Sequence, residues 1–147
     1  MTETPIIAVG VDGTQSSRQA LAWAAAEAVR RGAAVQVVTA WRREVVDGAP
    51  LASVDPAALL AVADRVQRDA IAEVIGPMAA KPPVTRQVVQ LSPVEALVAA
   101  SQHATLVVVG THGRGPVRSL LLGSVSLAVI TQAACPVVVI PPAAARV

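Results

Sequence analysis

Apolar and polar positions fall into two kinds of block along the chain. Short uncharged runs occur at residues 6–11, 35–41, 106–109 and 136–140. Each is bounded by turn residues, as expected of strands buried on both faces. A fifth run, residues 84–91, alternates apolar and polar side chains around Thr85 and Gln87, which predicts a half-exposed edge strand. Between these runs the period changes to that of a helix. Ala20, Leu21, Ala24 and Ala28 form an apolar stripe in a helix reaching about Arg31, with Thr14, Ser16 and Ser17 as capping oxygens and Gly32 as the terminating residue. Asp55-Pro56 opens a second helix running to about Ile75. Leu59, Ala63, Val66, Ala70 and Val74 line its inner face, and Asp64, Arg65, Gln67, Arg68 and Asp69 are expected to face water. Ser92-Pro93-Val94-Glu95 reads as a capping box for a third helix to about His103. Ser124 begins a fourth, reaching about Ala133.

Residues 42–54 show no period and are expected to form a loop. The resulting order is β-α-β-α-β-α-β-α-β, with no strands close enough for a hairpin. An open parallel sheet with helices on both faces follows, made of right-handed crossovers in one domain of 147 residues. A chain of this length buries roughly two-thirds of its unfolded surface. In such sheets, ligands bind beyond the carboxyl ends of the strands, where strand order reverses. The two most polar glycine-bearing turns, Asp12-Gly13 and Gly110-Thr111-His112-Gly113, both follow strands and would share a crevice if those strands are neighbours.

Composition narrows the chemistry. Hydrophobic residues make up 54% and charged residues 15%, which argues against disorder. Trp23 and Trp41 are the only aromatics, so stacking platforms for single-stranded nucleic acid are absent. The sequence pI is near 9.5, yet formal charge is only +2 and the arginines are scattered. No nucleic-acid footprint results. Cys135, the single cysteine, sits before Pro136 and a valine run, as an inert buried thiol would, and fits a reducing compartment. The first ten residues lack the pattern of a secretory signal. Residues 119–145 carry no charge, but Gly123, Ser124, Thr131 and Pro136 interrupt them. A helix followed by a strand explains them better than a membrane span, so a cytoplasmic protein with no membrane contact is expected.

Residues 106–125 concentrate the candidate chemistry. A strand ends at Val109 and Gly110, a glycine-rich loop carries Arg114 and Arg118, and Gly123-Ser124 opens a helix. Unpaired N–H groups and the helix dipole make such a start receptive to phosphate. Gly110 and Gly113 alone could serve only a tight turn, and Asp12 could simply cap the first helix. Ser124 can cap and hold phosphate together. His112 lacks a nucleophile partner and reads as a solvated or phosphate-adjacent side chain, not a general base. The two histidines and distant Cys135 lack metal-ligand spacing.

Gly110-x2-Gly113-x9-Gly123-Ser124 resembles the signature of the ATP-binding branch of the universal stress protein family. Similar too are Val11-Asp12-Gly13-Thr14, Ala20-Leu21-x-Trp23-Ala24 and Ala134-Cys135-Pro136-Val137, so the resemblance covers essentially the whole chain. Thr105 departs from the family's usual Asp, before the strand and away from any ligand. The resemblance implies a Rossmann-like five-stranded sheet in the order 3-2-1-4-5, and a homodimer paired through the C-terminal strand at residues 136–140. It implies ATP as ligand, with Mg2+ near Asp12. Gly10 and Val11 would line the base pocket, Ala40 would pack on adenine, and Asp12 would contact ribose. Val109, Gly110, Gly113, Arg114, Gly123, Ser124 and Val125 would surround ribose and triphosphate. No Walker-type loop is present and Lys81 is the only lysine, so a binding module in stress response is expected ahead of a slow ATPase. A cyclic-nucleotide (cAMP) binder and a dimeric protein with a vestigial site are two further readings that compete with it.

Overall fold

The computed structural model describes residues 3–42, 45–46, 49–50, 55–112 and 122–142. Its elements in chain order are β1 (Ile6–Gly10), α1 (Gln15–Arg31), β2 (Ala34–Trp41), β3 (Val45–Val46), β4 (Ala49–Pro50), α2 (Pro56–Val74), β5 (Val84–Gln90), α3 (Pro93–Ser101), β6 (Leu106–Gly110), α4 (Ser124–Gln132) and β7 (Val137–Ile140). Five strands form one sheet in the order β5-β2-β1-β6-β7, all parallel. Counting only these five, the order is 3-2-1-4-5, as expected. The chain between β2 and α2 departs from the expected loop at one point, where β3 and β4 form a two-residue antiparallel pair. Elements so short leave no period to read.

The helix boundaries follow from their caps. Thr14 Oγ1 accepts the Ser17 N–H at the start of α1, and Gly32 ends it at φ 65°, a conformation glycine adopts without a Cβ clash. Asp55 and Ser92 cap α2 and α3 in the same way, each followed by proline. α1 and α2 cover one face of the sheet, where Ile7, Val9, Leu21, Val35, Val37 and Val108 are buried. On the other face, Leu97 and Ala100 of α3 and Val129 of α4 pack on Ala8, Val38, Val107 and Val109. The stripe on α1 is made of alanines that are fully buried, which lets the helix backbone lie close to the strands.

One expectation about α2 is overturned. Gln67 does not face water; it is fully buried beneath α2. Its Nε2 lies 3.0 Å from each of Val37 O, Thr39 Oγ1 and Gln87 O. It sits on the helical row of Ala63 and Ala70, so its position is an inner one despite its polarity. The charged neighbours do face out: Asp64 bridges Arg68 at 2.8 Å and Arg86 of β5 at 2.6 Å. β5 is an edge strand and is half-exposed, as its alternation predicts.

Candidate functional site

β1 pairs with β2 on one side and β6 on the other, so the strand order reverses between β1 and β6. The turn after β1 and the turn after β6 therefore open side by side at the carboxyl edge of the sheet. That is where open α/β sheets take ligands.

The β1 turn is heavily bonded. Val11 is buried; its N–H donates to Val38 O at 2.9 Å and its carbonyl accepts the Thr39 hydroxyl at 2.7 Å. Asp12 follows, half-buried. Its Oδ1 accepts the Thr14 N–H at 3.0 Å and the Thr14 hydroxyl at 2.6 Å, while its own N–H reaches Ser17 Oγ at 3.3 Å. Gly13 has φ 88°, and its carbonyl accepts Nη1 of Arg18. Asp12 thus orders the start of α1 through one carboxylate oxygen. Both readings of this residue are compatible, because the bonds found for it fall on Oδ1.

On the β6 side, Gly110 ends the strand against the first turn of α1. A Cβ there would stand 2.1 Å from Ser16 Oγ and 2.8 Å from Ser16 O. Its φ lies outside the left-handed region, so space, not backbone freedom, demands glycine. The His112 N–H donates to Ser16 Oγ at 3.4 Å, and His112 Nδ1 lies 3.1 Å from Thr111 Oγ1. Ser16 thereby joins α1 to the β6 turn, a link the sequence did not disclose.

α4 begins at this turn. Gly123 is its N-cap, with φ −74°, and Ser124 is the first helical residue, exposed. The expected cap at Ser124 is one residue off. Gly123 has no side chain to cap with, so among the described residues no side-chain bond closes this helix start. Its N–H is held by Thr111 O, and the Ser126 hydroxyl donates to Gly110 O at 2.6 Å. Ser126, which has no role in the sequence pattern, is what anchors α4 to β6. A serine one turn inside a helix, three residues after its glycine cap, is the signal that could have found it. The amides of Ser124, Val125 and Ser126 belong to the unpaired set at a helix start.

Of the remaining predicted residues, Gly10 ends β1, with Leu97 Cδ1 3.1 Å from where its Cβ would be. Ala40 lies half-buried near the end of β2, and Val109 is buried in β6. Val125 is half-buried in the first turn of α4. Gly113, Arg114 and Arg118 lie outside the described residues. Cys135 is half-buried, its thiol pushed up by desolvation, with Sγ 3.5 Å from Pro136 O. Among the described residues no group of three or more His, Cys, Asp or Glu side chains could hold a metal ion. No helix among them is long and apolar enough to cross a membrane. The uncharged stretch near the C-terminus holds α4 and β7.

The family model described as the universal stress protein family matches residues 4–141. A universal stress protein of Mycobacterium bovis is 41% identical over 138 residues, covering 90% of this chain and 44% of the relative. The chain thus spans less than half the length of that curated relative. Among solved structures, the universal stress protein UspA from Lactobacillus plantarum superimposes with a TM-score of 0.75 at 20% identity, covering 95% of this chain and 99% of that one. A universal stress protein in complex with cAMP does so with a TM-score of 0.68 at 24% identity, covering 95% and 98%. With a family match over nearly all its length and a five-stranded sheet in the order 3-2-1-4-5, the chain belongs to the universal stress protein family.

Proposed function

We propose that this chain is a nucleotide-binding regulatory module of the stress response whose ligand is ATP, taken up at the carboxyl edge of β1 and β6. The observation that supports it best is the start of α4: a helix N-terminus without a side-chain cap among the described residues, held by Thr111 and Ser126 beside the Asp12 turn. Uncapped N–H groups with the positive end of the helix dipole favour phosphate oxygens. In this reading Gly10, Val11 and Ala40 bound the base, and Asp12 receives the ribose hydroxyls. Val109 and Gly110 line the floor, and Gly113, Arg114, Gly123, Ser124 and Val125 surround the phosphates. Mg2+ would be held mainly by the triphosphate, with Asp12 the carboxylate at hand among the described residues, which suits an ion that keeps most of its water.

The unit is one domain acting in the cytoplasm, without nucleic acid, and as a dimer along β7. Catalysis is not its main role, since the site offers no lysine for the phosphates. A cyclic nucleotide is the second reading, favoured by the relative solved with cAMP. Calorimetry with ATP, ADP, AMP and cAMP separates the two. ATP binding that is lost in Gly123→Val, with the fold retained, supports the first. Preference for cAMP transfers the site to the second, and full ATP affinity in Gly123→Val overturns the phosphate assignment. Sustained multiple-turnover phosphate release would make the protein an enzyme.

A further inference from the structure

The two carbonyls that flank Asp12 are both gripped from α2, a helix that contributes nothing to the proposed site. On the buried side, Gln67 Nε2 donates to Thr39 Oγ1 at 3.0 Å, and the Thr39 hydroxyl donates to Val11 O at 2.7 Å. Gln67 is fully buried and Thr39 nearly so. On the exposed side, Glu73 accepts from Arg18 Nε at 2.9 Å, and Arg18 Nη1 donates to Gly13 O. Each path has two steps, and together they hold the peptide groups on either side of the carboxylate.

The buried path is not what packing alone would choose. Gln67 Oε1 has no hydrogen-bond partner among the described residues. An unmatched buried acceptor carries a desolvation penalty that an apolar side chain at this position would avoid. What the amide adds is reach: its two hydrogens are shared among Val37 O, Gln87 O and the Thr39 hydroxyl, tying β2, β5 and the β1 turn to one helix. The Thr39 hydroxyl accepts from Gln67 on one lone pair and directs its hydrogen at Val11 O.

We propose that α2 sets the pose of Asp12, with Gln67 and Thr39 on one side and Glu73 and Arg18 on the other acting as positioning residues for the carboxylate that receives the ribose. The consequence for ligand rests on the nucleotide reading above; the mechanical link does not.

Two measurements decide it. In the unliganded protein, hydrogen exchange is followed at the Asp12 and Thr14 amides, which bond Ser17 Oγ and Asp12 Oδ1. Thr39→Val keeps the shape and removes the hydroxyl; roughly fivefold faster exchange at those two amides is expected. Thr39→Ser should restore the wild-type rate. Glu73→Gln, at the exposed end of the second path and no threat to folding, should speed the same amides to a smaller degree. Unchanged exchange at Asp12 and Thr14 in both Thr39→Val and Glu73→Gln overturns the proposal.

The second measurement is a double-mutant cycle read by calorimetry with MgATP. Thr39→Val should weaken binding about five- to tenfold with Asp12 present and less than about twofold in an Asp12→Ala background. Equal weakening in both backgrounds would mean that Thr39 does not act through Asp12, and the proposal fails. Should the wild-type protein bind no adenine nucleotide, the functional reading falls, and the exchange measurement alone decides the link.

Discussion

Gly110→Ala is expected to destabilise the fold by about 3 kcal/mol, the upper part of the range for overpacking a well-filled core. The new methyl would stand 2.1 Å from Ser16 Oγ, 2.8 Å from Ser16 O and 2.9 Å from Ser16 C, where ordinary contact begins at 3.4 Å. The hydroxyl can rotate away, but the carbonyl belongs to the first turn of α1. That turn is held by the Thr14 cap and by a buried alanine stripe pressed on the sheet. Helix and strand must therefore part, and the movement reaches every contact along α1. At roughly 3 °C per kcal/mol for a domain of this size, the midpoint of thermal unfolding should fall by about 9 °C.

Gly10→Ala is the control. The atoms nearest its Cβ would be the Leu97 methyls, at 3.1 and 3.3 Å, and these sit at the end of a movable side chain. It should cost less than about 1 kcal/mol. Ser16→Ala combined with Gly110→Ala removes the closest approach and leaves the carbonyl contact, so it should recover part of the loss. Thermal and urea unfolding of the three variants test this. A Gly110→Ala protein as stable as Gly10→Ala would refute the close approach. The result also bears on function, because a Gly110 variant that loses ligand would do so through the fold.

Two further outcomes are expected. Asp64 lies between Arg68 and Arg86, whose hydrogen bonds hold its carboxyl below the ordinary value of 3.8. A depressed carboxyl stabilises the fold above the ordinary value and loses that contribution as pH falls through its folded value. Asp64→Asn should therefore lower urea stability at about pH 7, with the difference closing at about pH 2 and shrinking in high salt; a deficit unchanged by pH would assign it to packing. For the proposed dimer, Val107 N takes Pro136 O at 3.0 Å and Val107 is in register with Val137, so parallel geometry aims the Val138 N–H at β6 and the Val139 N–H at the open edge. Val139→Pro should then give a folded monomer by sedimentation, whereas Val138→Pro would break the sheet itself; a dimer that survives Val139→Pro is not paired along this edge.

Much of the frame is legible in the sequence because its causes are local. Thr14, Asp55 and Ser92 cap helices through bonds spanning two or three residues. Gly32 ends α1 because its own φ is positive, and the uncharged runs mark strands because both faces of the sheet are covered. Residue types alone misplace the cap of α4 by one position, since a serine after a glycine looks the better cap. They also put Gln67 in water, because polarity is a property of the residue, whereas its partners Val37, Thr39 and Gln87 are brought to it only by folding. The same holds for Gly110, which a motif marks without giving the reason.

What the sequence determined by itself was the succession of the four helices and the five strands of the main sheet, most of their ends, and the family to which the residues point. Periods of two and 3.6, caps and turn glycines act over a few residues and do not depend on the rest of the chain. Only the tertiary structure decided that Ser16 fills the space a Cβ on Gly110 would need, and that α2 grips both sides of Asp12. Those contacts join residues far apart in the chain, and their energies exist only once the sheet has brought the two ends of each together.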